Sequence, residues 1–248
     1  MSDYQPAILL GLPIYAVSRA EALECVEGFV SSDRPHLVIT ADASALMFAR
    51  SDPEFAEVFK QASLVTADGA GVVKALRLAG HPIGERCSGV DLVVDIAQKS
   101  AGAGWKLFFL GAAPSVAEAA AKELQCRFPG LEIAGCNDGF FKDDSAIIEK
   151  IRQSGADILF VAMGMPRQEK WFWKHRDELG VKVGMGVGGT FDVLSGGVKR
   201  APVFFQKHGL EWLYRFIMAP KKSSRKIVLL PVFALLACAE ARRRRNKQ

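Results

Sequence analysis

The chain has 248 residues, half of them apolar and 24% charged, with a mean hydropathy of +0.13. That mix excludes a disordered chain, a collagen-like repeat and a polytopic membrane protein, and the length suits one large domain with a short appendage. The net charge of +5 averages two unlike parts: residues 1–198 hold 19 Lys and Arg against 25 Asp and Glu, and residues 199–248 hold 13 against 2. A mildly acidic globule thus carries a strongly basic tail, and tails of that kind meet negative partners.

The N-terminus is acidic ahead of a short apolar run, which does not read as a secretory signal. Short apolar runs of strand character follow at 36–40, 63–66, 106–110, 131–134, 157–162 and 182–187. Helical patterns lie between them at 43–61, 71–79, 90–100, 115–127, 145–154 and 168–179. Ser115 with Glu118 has capping-box spacing at the start of one of these. Strands alternating with helices predict an α/β fold, a single Rossmann-like domain with a mostly parallel sheet covered on both faces. We place that domain at 1–199 and a basic helical appendage at 200–248. The five cysteines and four histidines show no metal-ligand spacing and no disulfide framework, so neither a metal site nor a cofactor is expected.

The appendage has an aromatic helix candidate at 208–218, a basic knot at 220–226 and thirteen apolar residues at 227–239, closed by four arginines. Thirteen helical residues span about 20 Å, too short for a hydrocarbon core of about 30 Å, and Pro231 should kink them. Two readings stand: an interfacial anchor on an anionic membrane surface, or a helix packed on the domain with a solvated basic end. The uninterrupted apolar run argues against a nucleic-acid partner.

Ligands of open α/β sheets bind beyond the carboxyl ends of strands. Those positions hold Thr40 and Asp42, Asp68 and Gly69, Gly111, Gly164 and Gln168, and Gly189 with Asp192. Glycines there let backbone approach a phosphate. The run from Gly69 to Lys74 fails the dinucleotide fingerprint, and a Walker A loop is missing. Asp68 is the residue of chemical interest: in a glycine-rich turn it could accept a proton from a substrate hydroxyl, or it could cap the helix near Gly71. Asp192 likewise reads as ligand or helix cap. Trp171, Phe172 and Trp173 read as packing residues before sugar platforms, whereas Trp212, Tyr214 and Phe216 suit either packing or a membrane interface.

The segment Thr66-Ala67-Asp68-Gly69-Ala70-Gly71, with Arg86-Cys87-Ser88-Gly89 after it, resembles paired motifs of the WecG/TagA/CpsF family of bacterial glycosyltransferases. Phe108 to Gly111, Gly164-Met165-Pro166-Arg167-Gln168-Glu169, Gly188 to Asp192, Arg200-Ala201-Pro202 and Gly209 to Arg215 follow in family order. The resemblance implies a metal-independent, inverting transfer of a sugar, first of all N-acetylmannosamine, from a UDP-sugar to a polyprenyl-diphosphate-linked sugar at the inner face of the cell membrane. By that likeness Asp68 is the catalytic base, and Thr40, Arg86, Gln168 and Asp192 line the donor pocket. Arg215 and Arg225 match functional arginines of an appendage that folds over the site. The chain departs from the family at Asp42, where Asn is usual, and at Lys222, which replaces an arginine. No D-x-D pair is present to hold a metal on the leaving diphosphate, so Arg86, Arg215, Lys222 and Arg225 are the available cations. UDP-glucose or UDP-N-acetylmannosaminuronate as donor, a non-catalytic scaffold, and a homo-oligomer all stay open.

Overall fold

The computed structural model describes residues 4–202, 204–205, 211–218 and 220–245; the side chains of 212, 215, 216, 218, 220–228 and 245 lie outside that description. A hairpin opens the chain, with β1 (Ala7–Leu9) antiparallel to β2 (Leu12–Ile14). Six parallel strands then form one sheet: β3 (His36–Ala41), β4 (Leu64–Ala67), β5 (Lys106–Gly111), β6 (Glu132–Asn137), β7 (Ile158–Ala162) and β8 (Val183–Gly186). Their order across the sheet is β4-β3-β8-β7-β5-β6. The α/β reading holds, and all six expected strands are present.

Alternate residues of these strands enter two separate cores, one on each face. Leu37, Ile39, Phe108, Leu110, Leu159 and Val161 pack on one side. Val38, Leu107, Phe109, Ile158, Phe160 and Met185 pack on the other. Burial on both faces is what makes the strand runs apolar throughout. Strand β8 differs, because Gly184 and Gly186 occupy its first face. A Cβ at Gly184 would collide with the Phe172 ring, and one at Gly186 would lie 2.5 Å from Glu169 Oε1. Those glycines let the helix α8 (Arg167–His175) press directly onto the sheet.

The remaining helices of the domain are α1 (Arg19–Val30), α2 (Ala43–Ser51), α3 (Pro53–Gln61), α4 (Ala70–Leu78), α5 (Gly89–Ala103), α6 (Val116–Arg127), α7 (Asp144–Ser154) and α9 (Thr190–Leu194). Two details depart from expectation. The pattern at 43–61 is two helices, because Asp52 ends α2 and caps α3, with Pro53 in its first turn. Ser115 makes no side-chain cap, since its backbone is left-handed at φ +66°; the capping box with both bonds formed is Ser18 with Glu21.

The C-terminal segment contributes α10 (Glu211–Met218) and α11 (Pro220–Arg245). Pro231 lies inside α11, so it does not end the helix as its missing N–H would favour. Docking along one stripe compensates: Phe233, Ala237 and Ala241, four residues apart, are each 3% exposed. Phe233 sits over Gly71 at the start of α4, where a Cβ would meet the ring at 3.7 Å. Farther along, Glu240 accepts from the Leu10 amide at 2.7 Å and Arg244 donates to the Ile8 carbonyl. The packed-helix reading therefore holds for this face. The opposite face leaves Val232 and Leu235 exposed, the latter at 72%. Among the described residues no helix is long and apolar enough to cross a membrane. Truncating Phe233 to Ala should destabilise the protein by about 3 kcal/mol through the cavity it leaves. A chemical denaturation midpoint equal to the wild type would show that α11 adds nothing to the fold.

Candidate functional site

The carboxyl ends of β3, β4, β7 and β8 turn into loops on one edge of the sheet, and most of the candidate residues gather there. Asp68 follows β4, with its N–H bonded to the Ala41 carbonyl at 2.9 Å. Its Oδ2 accepts from the Gly89 amide at 3.1 Å, the first residue of α5. The α4 cap is Gly69 instead, at φ +111° and without a side-chain bond. Asp68 thus does not cap the helix beside it; it reaches across to the N-terminus of another, where orphan N–H groups favour a carboxylate.

Gly89 is wedged at this junction. A Cβ there would lie 2.8 Å from Thr40 Oγ1 and 3.6 Å from Asp68 Oδ2, which brings Thr40, Asp68 and the 86–89 loop into one cluster. Cys87 of that loop donates its amide to Ala67. Burial pushes its thiol up to about 12, so it is an inert packing residue. All five cysteines are free thiols.

Asp42 is the N-cap of α2, accepting from the Ala45 amide at 3.0 Å. Asn caps a helix equally well, so the departure from the family's Asn leaves this local role intact. Gln168 is 2% exposed, and its Oε1 accepts from the amides of Gly164 and Gly188, both at 3.1 Å. One side chain therefore ties the loop after β7 to the loop after β8. Its Nε2 donates to Glu169 Oε1 at 2.7 Å. Asp192 lies in the first turn of α9 beside Gly189, and the cap of α9 makes no side-chain bond, so Asp192 is not a capping residue. Gly111 belongs to the sheet instead: a Cβ would strike the backbone of Ala162, so glycine is needed for β5 and β7 to pass. Trp171 and Phe172 are packing residues, with Trp171 Nε1 donating to Asp144 at 2.8 Å.

The C-terminal segment reaches this edge through charge. Arg86 pairs with Glu211 of α10, both side chains largely covered. Arg200 forks onto Asp91 of α5 through two bonds of 2.7 Å. Burial pushes the Asp91 carboxyl up, but the bonds and charge of Arg200, with the charges of Arg19 and Arg86, together outweigh it and hold it below the ordinary carboxylate range. The side chains of Arg215, Lys222 and Arg225 lie outside the described residues. Among those described, no group of three or more His, Cys, Asp or Glu side chains is arranged to hold a metal ion.

Glu169, Glu211, Asp91 and Arg200 were not singled out from the sequence as site residues. Glu169 had the faintest signal, since an acid in a first helical turn normally faces water. Here it is 1% exposed, and its Oε2 has no hydrogen-bond partner. Burial, helped by the nearby Asp42 charge, pushes its carboxyl up to about 7.

The sequence model of the "Glycosyl transferase WecG/TagA/CpsF family" matches residues 7–247. A protein of Bacillus spizizenii strain W23 is 36% identical over 199 residues, 80% of this chain and 77% of its own. Another, from Staphylococcus aureus strain MRSA252, is 32% identical over 241 residues, 96% of this chain and 94% of its own. Both are named N-acetylglucosaminyldiphosphoundecaprenol N-acetyl-beta-D-mannosaminyltransferase.

The Glu169 shift has a pH consequence. The folded protein holds this proton to a higher pH than the unfolded chain, so the associated stability is fully present below about 4.5 and is lost as pH rises through about 7. Glu169→Gln keeps the shape without the charge and should flatten that slope, gaining up to roughly 3 kcal/mol over wild type at pH 8. Denaturation curves at pH 5 and pH 8 measure this, and parallel pH dependence in the two proteins would rule it out.

Proposed function

The chain belongs to the WecG/TagA/CpsF family of glycosyltransferases, and on that premise we propose that it moves N-acetylmannosamine from UDP-N-acetylmannosamine to N-acetylglucosaminyl-diphosphoundecaprenol. The acceptor and the transferred sugar are those in the names of its relatives, which favours them over the glucose and mannosaminuronate donors. Carrying this reading is one observation, the Asp68 carboxylate held by the Gly89 amide at the open sheet edge beside Thr40.

In the proposed reaction Asp68 takes the proton of the acceptor hydroxyl while that oxygen attacks the anomeric carbon from the face opposite the diphosphate. The new C–O bond forms as the bond to the β-phosphate breaks, UDP leaves with the electron pair, and the anomeric centre inverts. Negative charge grows on UDP and calls for fixed cations. Arg86, in the loop that leads into Gly89, is the described cation proposed for this role, and Arg215, Lys222 and Arg225 are proposed to join it from the C-terminal helices. The family's Lys222 departure keeps the charge but gives up the forked geometry.

We place the reaction on the inner membrane surface, reached through the outer face of α11. Val232 and Leu235 are exposed there, and Arg242 and Arg243 follow them. An apolar stripe next to cations suits the interface of an anionic bilayer. Deleting the whole segment would be a poor test, because Phe233 and Ala237 belong to the core. The paired substitution Val232→Asp with Leu235→Asp leaves that core alone. It should cut co-sedimentation with phosphatidylglycerol vesicles at least tenfold, and undiminished sedimentation would remove α11 as the contact.

The reaction is tested by mixing full-length protein with the two substrates in detergent or liposomes and following UDP release. Asp68→Asn should lower kcat by 10²–10⁴, the range for loss of a general base. Full turnover in that variant would remove Asp68 from the mechanism, and inhibition by a chelator would remove metal independence.

A further inference from the structure

Four charges on the rim of the site alternate in sign. Arg86 pairs with Glu211, and Asp91 pairs with Arg200. The two pairs also sense one another. Hydrogen bonding to Asp91 pushes the Arg200 pKa up, and Glu211 and Asp68 add to the rise. Arg86 and Asp91 belong to the loop and helix start anchored by Gly89, whereas Arg200 and Glu211 belong to the C-terminal segment. The Arg86 and Glu211 side chains are 19% and 15% exposed.

We infer that Glu211 is a positioning residue for the transfer site, gripping one edge of the Arg86 guanidinium so that its other N–H groups face the donor diphosphate. This rests on the reaction proposed above. Arginine has five donors in a rigid planar fork, so the Glu211 contact at Nη1 restrains the whole guanidinium while Nε and Nη2 lie outside that contact. Without the carboxylate, a flexible side chain would have to be ordered at each turnover.

Charge alone makes the opposite forecast. Removing a carboxylate from beside Arg86 would raise the local positive charge, and an anionic donor would bind more tightly and react at least as fast. Positioning requires a loss. The full-length protein is compared with E211Q, which keeps the shape, and E211D, which keeps the charge. E211Q is expected to lose tenfold or more in kcat/KM for UDP-N-acetylmannosamine, with the acceptor KM within twofold. E211D should recover part of the loss. In parallel, hydrogen exchange of the amides at 85–89 should quicken in E211Q. A kcat/KM in E211Q equal to or above wild type overturns the assignment. Were the wild type inactive with this donor, the proposed reaction would fall by itself. Unchanged exchange at 85–89 would then sink the Glu211 assignment.

Discussion

The Gly89 amide meets the Asp68 carboxylate at 3.1 Å, and the rest of the sheet edge is arranged around that contact. Two needs are satisfied together: the first turn of α5 has N–H groups without intrahelical partners, and a half-buried carboxylate requires donors. The contact forms only because residue 89 lacks a side chain, since Thr40 occupies the space a Cβ would take. Drawing α5 toward β4 in this way brings the 85–88 loop over the strand end, buries Cys87 beneath it and delivers Arg86 to the rim. It also directs Asp91 to where Arg200 can fork onto it. Changing the geometry at residue 89 would therefore disturb the proposed base, a proposed phosphate ligand and the seat of the C-terminal segment at once.

The other half of the edge is held by a different device. Gln168 Oε1 collects amides from two loops, and Glu169 fixes the Gln168 amide from beneath. Both side chains fit only because Gly186 gives up its volume on that face of β8. A polar pair inside an apolar core is costly unless its groups are bonded, and the lone Glu169 Oε2 is where that cost falls. The pair holds the loops after β7 and β8 at a fixed separation, opposite the loop of Asp68.

How much of this was legible in the sequence follows from the range of each interaction. The six parallel strands were readable because burial on both faces leaves an apolar run that needs no partner to be seen. The hairpin β1–β2 was not, since its strands have three residues each and its turn is Leu10-Gly11, both at positive φ, in place of Asn-Gly. Asp52-Pro53 was a visible helix break that a continuous apolar period obscured. Ser115 with Glu118 matched the spacing of a capping box, but spacing cannot reveal a left-handed backbone. In the site, Asp68 and its glycines were marked by local chemistry. The bond from Asp68 to Gly89, and that from Arg86 to Glu211 across 125 positions, depend on which loops the sheet order brings together. Glu169 was hidden because nothing in Gln168-Glu169 announces that Gly186 of β8 lies beneath it.

Leu10 has a left-handed backbone at φ +52°, a conformation that a branched side chain adopts at some expense. Its amide is met by Glu240 and the carbonyl of Ile8 by Arg244, 230 and 236 positions later. On the ribosome the hairpin emerges long before α11. Until that helix follows, the β1–β2 turn must wait without the contacts that secure it. The parallel sheet can assemble in the meantime, but the corner between the hairpin and α11 closes only once both have been made.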